Sequence, residues 1–195
     1  MRSSALVFLF ALRTAQGAAC TALDRLPIKL FNDAAVRNEV LHTAKVEASW
    51  LLRSICVEVV WIPCPVVNVS NQTPCEAPVG AMELHILSSP ATNDFSEDTL
   101  GIAMPHVLFG DHAGVFLSRV RQTVARNVGI IDVSGLLGCV MAHEIGHLLL
   151  HSNLHSIEGL MRGEFRPKDL KKAAQRQLKF TPEQGEAIHR NAQGR

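Results

Sequence analysis

His143-Glu144-Ile145-Gly146-His147 lies inside the apolar run Leu136 to Leu150 of this 195-residue chain. On a helix, His143 and His147 stand one turn apart and point to the same side, so both imidazoles reach one metal ion. Neutral imidazole in this spacing suits zinc. Glu144 does not face the ion as a ligand in that arrangement; it sits beside it, where a water molecule would be bound. Zinc lowers the pKa of such a water, and a neighbouring carboxylate is placed to take its proton and pass it to a leaving amine. The pattern therefore points to hydrolysis of a peptide bond. The bland reading is a core helix that carries these residues by chance. An apolar helix that buries two imidazoles and a carboxylate without compensation loses about 1–3 kcal/mol per group. A shared cation removes that cost.

A third ligand has to come from beyond the helix. His151 continues the four-residue series, but a straight helix carries it a further turn along the axis, too far for tetrahedral geometry. The chain must first turn back. Asn153 tolerates the left-handed conformation that ends helices, and His155 follows it. His155 is the expected third ligand, with His151, Asn153 and Glu158 as alternatives.

The stretch from His143 through Leu150 to His155-Ser156, followed by Gly159-Leu160-Met161, resembles the zinc helix and Met-turn of the metzincin metalloproteases. It is similar, more closely, to a group of secreted bacterial metzincin-like proteins that read HEIGHLLLG, a gap, NSHS, a gap and GIM. Metzincins place the third His six residues after the second, past a Gly three residues after it. Leu150 and Asn153 occupy those positions here, and His151 stands where the bacterial group has its Gly. The resemblance implies a zinc-dependent endopeptidase with Glu144 as general base, a peptide substrate laid along an edge strand, and Met161 packed beneath the metal. By element order that edge strand is Leu100 to Met104. The chain has no tyrosine, so the Tyr that assists at zinc in some metzincins has no counterpart; oxyanion stabilisation then falls to zinc and backbone donors.

The elements that must position these residues are legible in part. Pro27 to Phe31 reads as a strand, and Asp33 opens an amphipathic helix through about Ile55 whose apolar positions follow the helical period. Val57 to Ile62, stopped by Pro63, and Met82 to Leu87 read as strands. Leu100 to Met104 reads as an edge strand before Pro105, and Val115 to Leu117 as a strand after a Gly110 to Gly114 turn. Helices are expected from Arg119 to Asn127, and from Val133 or Ser134 to Leu150 with Asp132 or Ser134 as cap. A basic helix within Arg166 to Lys179 should turn Leu170, Ala174 and Leu178 inward, and Thr181-Pro182-Glu183-Gln184 reads as a helix start. The order describes an α/β (α+β) protein: a mixed twisted sheet, a long covering helix, a buried helix carrying the histidines and a small helical C-terminal part.

Lys and Arg number 19 against 18 Asp and Glu, and 47% of residues are hydrophobic. Residues 20–195 suit one domain, and the near-zero charge offers no footprint for nucleic acid or anionic membrane. Arg2, the apolar run Ala5 to Leu12 and the small residues before Cys20 read as a signal peptide over 1–19, too short to span a bilayer. A secreted or periplasmic monomer without a transmembrane segment after processing is expected, with a possible lipid anchor at Cys20. In an oxidising compartment Cys64 and Cys75, flanking a Pro- and Asn-rich stretch, are the expected pair. Cys56 and Cys139 read as small buried hydrophobes, with pairing between them left open. Asn68 and Asn71 head sequons that read as chance matches in a polar loop. His106 and His112 are candidates for a second ion, weighed below loop histidines without a role. An alternative of another class is a noncatalytic secreted module in which the same histidines hold a structural metal.

Overall fold

The computed structural model describes residues 20, 23–65, 75–92, 94–107 and 110–193. The expected leader at 1–19 and both sequons lie outside them. Strands β1 (Asp24–Phe31), β2 (Val57–Cys64), β3 (Met82–Leu87), β4 (Gly101–Val107) and β5 (Gly110–Phe116) form one sheet in the order β2-β1-β3-β5-β4. β1 pairs in parallel with β2 and β3, and β3 with β5, whereas β4 runs antiparallel to β5. Parallel neighbours need crossovers, and helix α1 (Asn38–Arg53) supplies the one between β1 and β2. Helices α2 (Leu117–Arg126), α3 (Val133–Leu150), α4 (Pro167–Ala174) and α5 (Pro182–Ala192) follow the sheet. The α/β arrangement expected from the sequence, with mixed sheet, long covering helix, buried histidine-bearing helix and helical C-terminal part, is the one observed.

Two strands run through prolines that were expected to stop them. Pro63 lies inside β2 and Pro105 inside β4. Both strands are sheet edges, where a missing N–H need not break a ladder. Gly110 to Gly114, expected to be a turn, instead pair with β4 as the first part of β5. Gly110 takes φ of 108°, which an L side chain resists. The start of α1 also differs. Asn32, not Asp33, controls it: its Oδ1 accepts from the Val36 N–H at 2.8 Å and its Nδ2 donates to the Val36 carbonyl at 2.9 Å. That loop delays the helix until Asn38.

Alternate residues of β1 (Leu26, Ile28, Leu30), β3 (Met82, Leu84, Ile86) and β5 (Ala113, Val115) are buried, as the two-residue period of strands demands. They form one cluster with Ala44, Ala48, Leu51 and Leu52 of α1 and with α3. α3 is buried continuously from Leu136 to Leu149 and touches α1, α2, α4, α5, β4 and β5. A helix packed on all sides has no polar face, which is why its sequence is apolar throughout. By length and hydropathy it could cross a membrane, yet it is the core of this protein. Gly138 lets α1 approach it: a Cβ there would meet the Ala44 carbonyl oxygen at 2.6 Å. In α4, Leu170 and Ala173 turn inward and Ala174 does not. α5 begins with the expected box, in which Gln184 N–H donates to Thr181 Oγ1.

Cys64 pairs with Cys75, as the flanking composition suggested. Cys56 pairs with Cys20, correcting its reading as a buried hydrophobe. A sulfur held in a disulfide is not available for thioether lipidation, so the expectation of an anchor at Cys20 is not supported. The Cys20–Cys56 link spans 36 residues and ties the chain ahead of β1 to the end of α1. Closing such a loop is worth about 4 kcal/mol in the chain-entropy account. Cys139 is free and buried, and burial pushes its thiol up to about 12. Two disulfides are compatible with an extracellular or periplasmic place.

Candidate metal centre

α3 presents His143, Glu144 and His147 from a rigid support. Asp132 caps its start by accepting from Gly135 N–H at 2.7 Å. Its end is His151, in the left-handed conformation at φ 52°, with Ser152 N–H closing on the His147 carbonyl at 3.2 Å. The reversal expected at Asn153 therefore falls two residues earlier, on a residue type that also visits that region. This turn sends the chain back along the helix and brings His155 over it. His151, its backbone spent on the reversal, is not among the converging groups; nor is Glu158.

His143, His147 and His155 offer ring nitrogens that all lie within 4.8 Å of one another. His147 Nε2 is 3.0 Å from His143 Nε2 and 3.2 Å from His155 Nε2. Tetrahedral zinc held by nitrogens at its usual bond length sets them about 3.3 Å apart, so the spacing fits. The other ring nitrogens fix the tautomers. His143 Nδ1–H donates to the Leu160 carbonyl at 2.8 Å and His147 Nδ1–H to the Ser152 carbonyl at 2.7 Å. A carbonyl only accepts, so in the neutral rings both protons sit on Nδ1 and both Nε2 lone pairs face inward.

Those lone pairs would repel unless a proton or a cation lay between them. A proton is disfavoured. Burial, reinforced by the neighbouring His147, lowers His143 to about 3 despite the Leu160 carbonyl. Burial also lowers His147, partly offset by the Ser152 carbonyl, and lowers His155. Neutral imidazoles are what a metal requires. Among the described residues no other group of three His, Cys, Asp or Glu side chains converges in this way.

Glu144 is 4% exposed, and burial pushes its carboxyl up to about 8. It lies against the edge strand at Gly101, where a Cβ would meet its Oε1 at 2.5 Å. Glycine at that position makes room for the carboxylate. A cleft opens over Glu144, His143 and His155, with Leu100, Val140 and Phe165 among its walls. Phe165 meets the His143 ring edge-on at 5.8 Å between centroids.

The segment 160–163 serves His143, His155 and the helix between the histidines. Leu160 receives the His143 N–H; buried Met161 packs under α3, where a Cβ on Gly146 would meet its Sδ at 2.7 Å; and a Cβ on Gly163 would meet the His155 ring at 3.1 Å. Met161 was expected as a floor from the motif, but Gly101, Gly163 and Phe165 were not singled out. Glycines at 146, 159 and 163, packed against Met161, Thr181 and His155 respectively, were the available signal of close packing.

His112, a candidate for a second ion, instead lies on the outer face of the sheet with Nδ1 3.0 Å from Glu83 Oε2. The side chain of His106 lies outside the described residues.

No family model matches the sequence, and no curated protein matches it. In fold the chain is similar to the zinc-dependent peptidase from Methanocorpusculum labreanum (strain Z), at 18% identity and TM-score 0.56, covering 83% of this chain and 99% of that one. It is also similar to archaemetzincin from Methanopyrus kandleri, at 13% identity and TM-score 0.53, covering 87% and 97%. Metalloproteinase-II from Bacteroides fragilis matches at 13% identity and TM-score 0.55 over 89% of this chain, which spans 55% of that one. At such identities the likeness establishes the arrangement of elements.

Proposed function

We propose that a chain with this fold and this histidine cluster is a zinc-dependent endopeptidase of the cell exterior or periplasm, working as a monomer. The observation that carries the reading is the convergence of three imidazoles beside a buried carboxylate, with His143, Glu144 and His155 lining an open cleft. His143, His147 and His155 would hold the ion. Zinc so held supplies a Lewis acid and brings the pKa of a water toward neutrality. The chain's own residues do the rest. Glu144 takes the proton of the attacking water and delivers it to the departing nitrogen. β4 pairs only with β5 among the described strands, so its other edge is free to hold an extended peptide by strand addition. Gly101, on that strand, keeps the Glu144 carboxylate close to where the peptide bond would lie.

A structural, noncatalytic metal site would ordinarily use four protein ligands. Only three His, Cys, Asp or Glu side chains converge among the described residues, which favours the open, catalytic form. The test is metal content and cleavage of a broad peptide library by purified protein, beside Glu144→Ala. Stoichiometric zinc in both, with cleavage by the parent alone, is the expected result. Zinc in both and cleavage by neither would replace the enzyme with the metal-stabilised module.

A further inference from the structure

His155 is held less securely than its partners. Residues 152–159 form a loop whose large apolar side chains, Leu154 and Ile157, are 82% and 89% exposed, so no hydrophobic contact of these residues pins it down. Its fixed points are polar. Ser156 N–H donates to the Met161 carbonyl at 2.8 Å, in a bridge between Ser156 and Arg162, and the Ser156 hydroxyl donates to the Glu158 carbonyl. Arg162 Nη1 donates to the Ile157 carbonyl at 2.6 Å, while its Nε faces Asp169 Oδ2 at 3.5 Å. Asp169 is 3% exposed and accepts from the Arg166 N–H at the start of α4. One guanidinium thus ties the histidine loop to a carboxylate fixed in a helix. Its backbone also continues directly into Gly163, the residue against the His155 ring.

We infer that Arg162, anchored by Asp169, is a positioning residue that holds the loop so that His155 Nε2 faces the other two imidazoles. This rests on the metal-centre reading above. A planar fork is needed for the task, because it reaches the carboxylate and the Ile157 carbonyl at once, whereas an ammonium is a single point charge. Arg162→Lys therefore keeps a cation against buried Asp169 but gives up the second contact. Removing the charge alone would leave Asp169 uncompensated. Arg162→Met combined with Asp169→Asn avoids that and serves as the second variant.

The experiment measures zinc affinity by chelator competition and the visible spectrum of the Co²⁺-loaded protein. Both variants are prepared with His155 present and with His155→Ala, and the metal-free proteins are melted alongside. Orienting partners of metal ligands typically change affinity by about 10–100-fold. That loss is expected for Arg162→Lys with His155 present, together with a changed Co²⁺ spectrum and metal-free melting near the parent's. In the His155→Ala background the same substitution should change affinity by less than about 2-fold, since coupled residues are non-additive. Equal affinity and an unchanged spectrum in both variants would overturn the role of Arg162, as would an equal loss with and without His155. A parent protein that binds neither ion stoichiometrically would instead overturn the metal centre itself.

Discussion

His143 and His147 stand on an 18-residue helix buried almost throughout, whereas His155 is exposed on a loop whose fixed points are hydrogen bonds. The helix half is ordered by burial: α3 is enclosed by other elements, and its ring protons are spent on the backbone carbonyls of Leu160 and Ser152. The loop half is ordered by the left-handed turn at His151 and by the segment 160–163. Two imidazoles are thus fixed by the helix, and the third depends on how the loop is held. The cost of losing a ligand should therefore depend on which half supplied it.

The largest difference is expected between histidine variants. His143→Ala or His147→Ala should abolish stoichiometric zinc binding and all cleavage, measured by metal analysis and peptide assay. His155→Ala should retain weaker zinc binding through the helix pair while losing cleavage. Equal zinc affinity in all three variants would break the comparison. Next comes Gly101→Ala, whose Cβ would meet the Glu144 carboxylate at 2.5 Å. A misplaced catalytic group costs about 10²-fold in rate, here with zinc content unchanged. An unaltered cleavage rate would show that Glu144 has room to move.

Gly146→Ala forces a methyl group onto Met161 Sδ at 2.7 Å and the Phe180 ring at 3.0 Å. Overpacking of this kind costs about 1–3 kcal/mol, read by urea unfolding. The same substitution at the exposed Gly80 meets nothing within 4 Å and tests the backbone effect alone, since Gly80 has φ of 83°. A further effect is in pH. In metal-free protein His143 is lowered from 6.5 to about 3, so its neutral form stabilises the fold above 6.5 and that contribution is lost as pH falls toward 3. Glu144 is raised from 4.5 to about 8, so its contribution is full below 4.5 and lost as pH rises toward 8. The stability of the metal-free parent should therefore fall on the alkaline limb, and Glu144→Gln should flatten that limb alone. An identical limb in both would remove the assigned burial effect.

The helix half was legible because its chemistry and its periodicity coincide. His143, Glu144 and His147 share one turn of a segment that Asp132 caps and that ends near Leu150, so local signals sufficed. His155 was reachable by arguing that the chain must reverse, but the residue that reverses is His151 and not Asn153, because Asn, Asp and His share that conformational freedom. Arg162, Gly163, Phe165 and Gly101 were not visible. Their roles come from distances between segments apart in sequence, as between Gly101 and Glu144, which no local period encodes. The proline of β2 misled for the same reason: whether Pro63 ends a strand depends on whether that strand is an edge. Cys20 with Cys56 likewise joins residues that only the folded chain brings together.

We propose that one ion is shared by imidazoles from both halves, with a position left open. X-ray absorption at the zinc edge of the loaded protein, beside His155→Ala, tests it most directly. Three imidazole nitrogens and one light, non-protein atom are predicted for the parent, and one imidazole fewer for the variant. A fourth protein ligand, or a parent and variant with the same coordination, would contradict it.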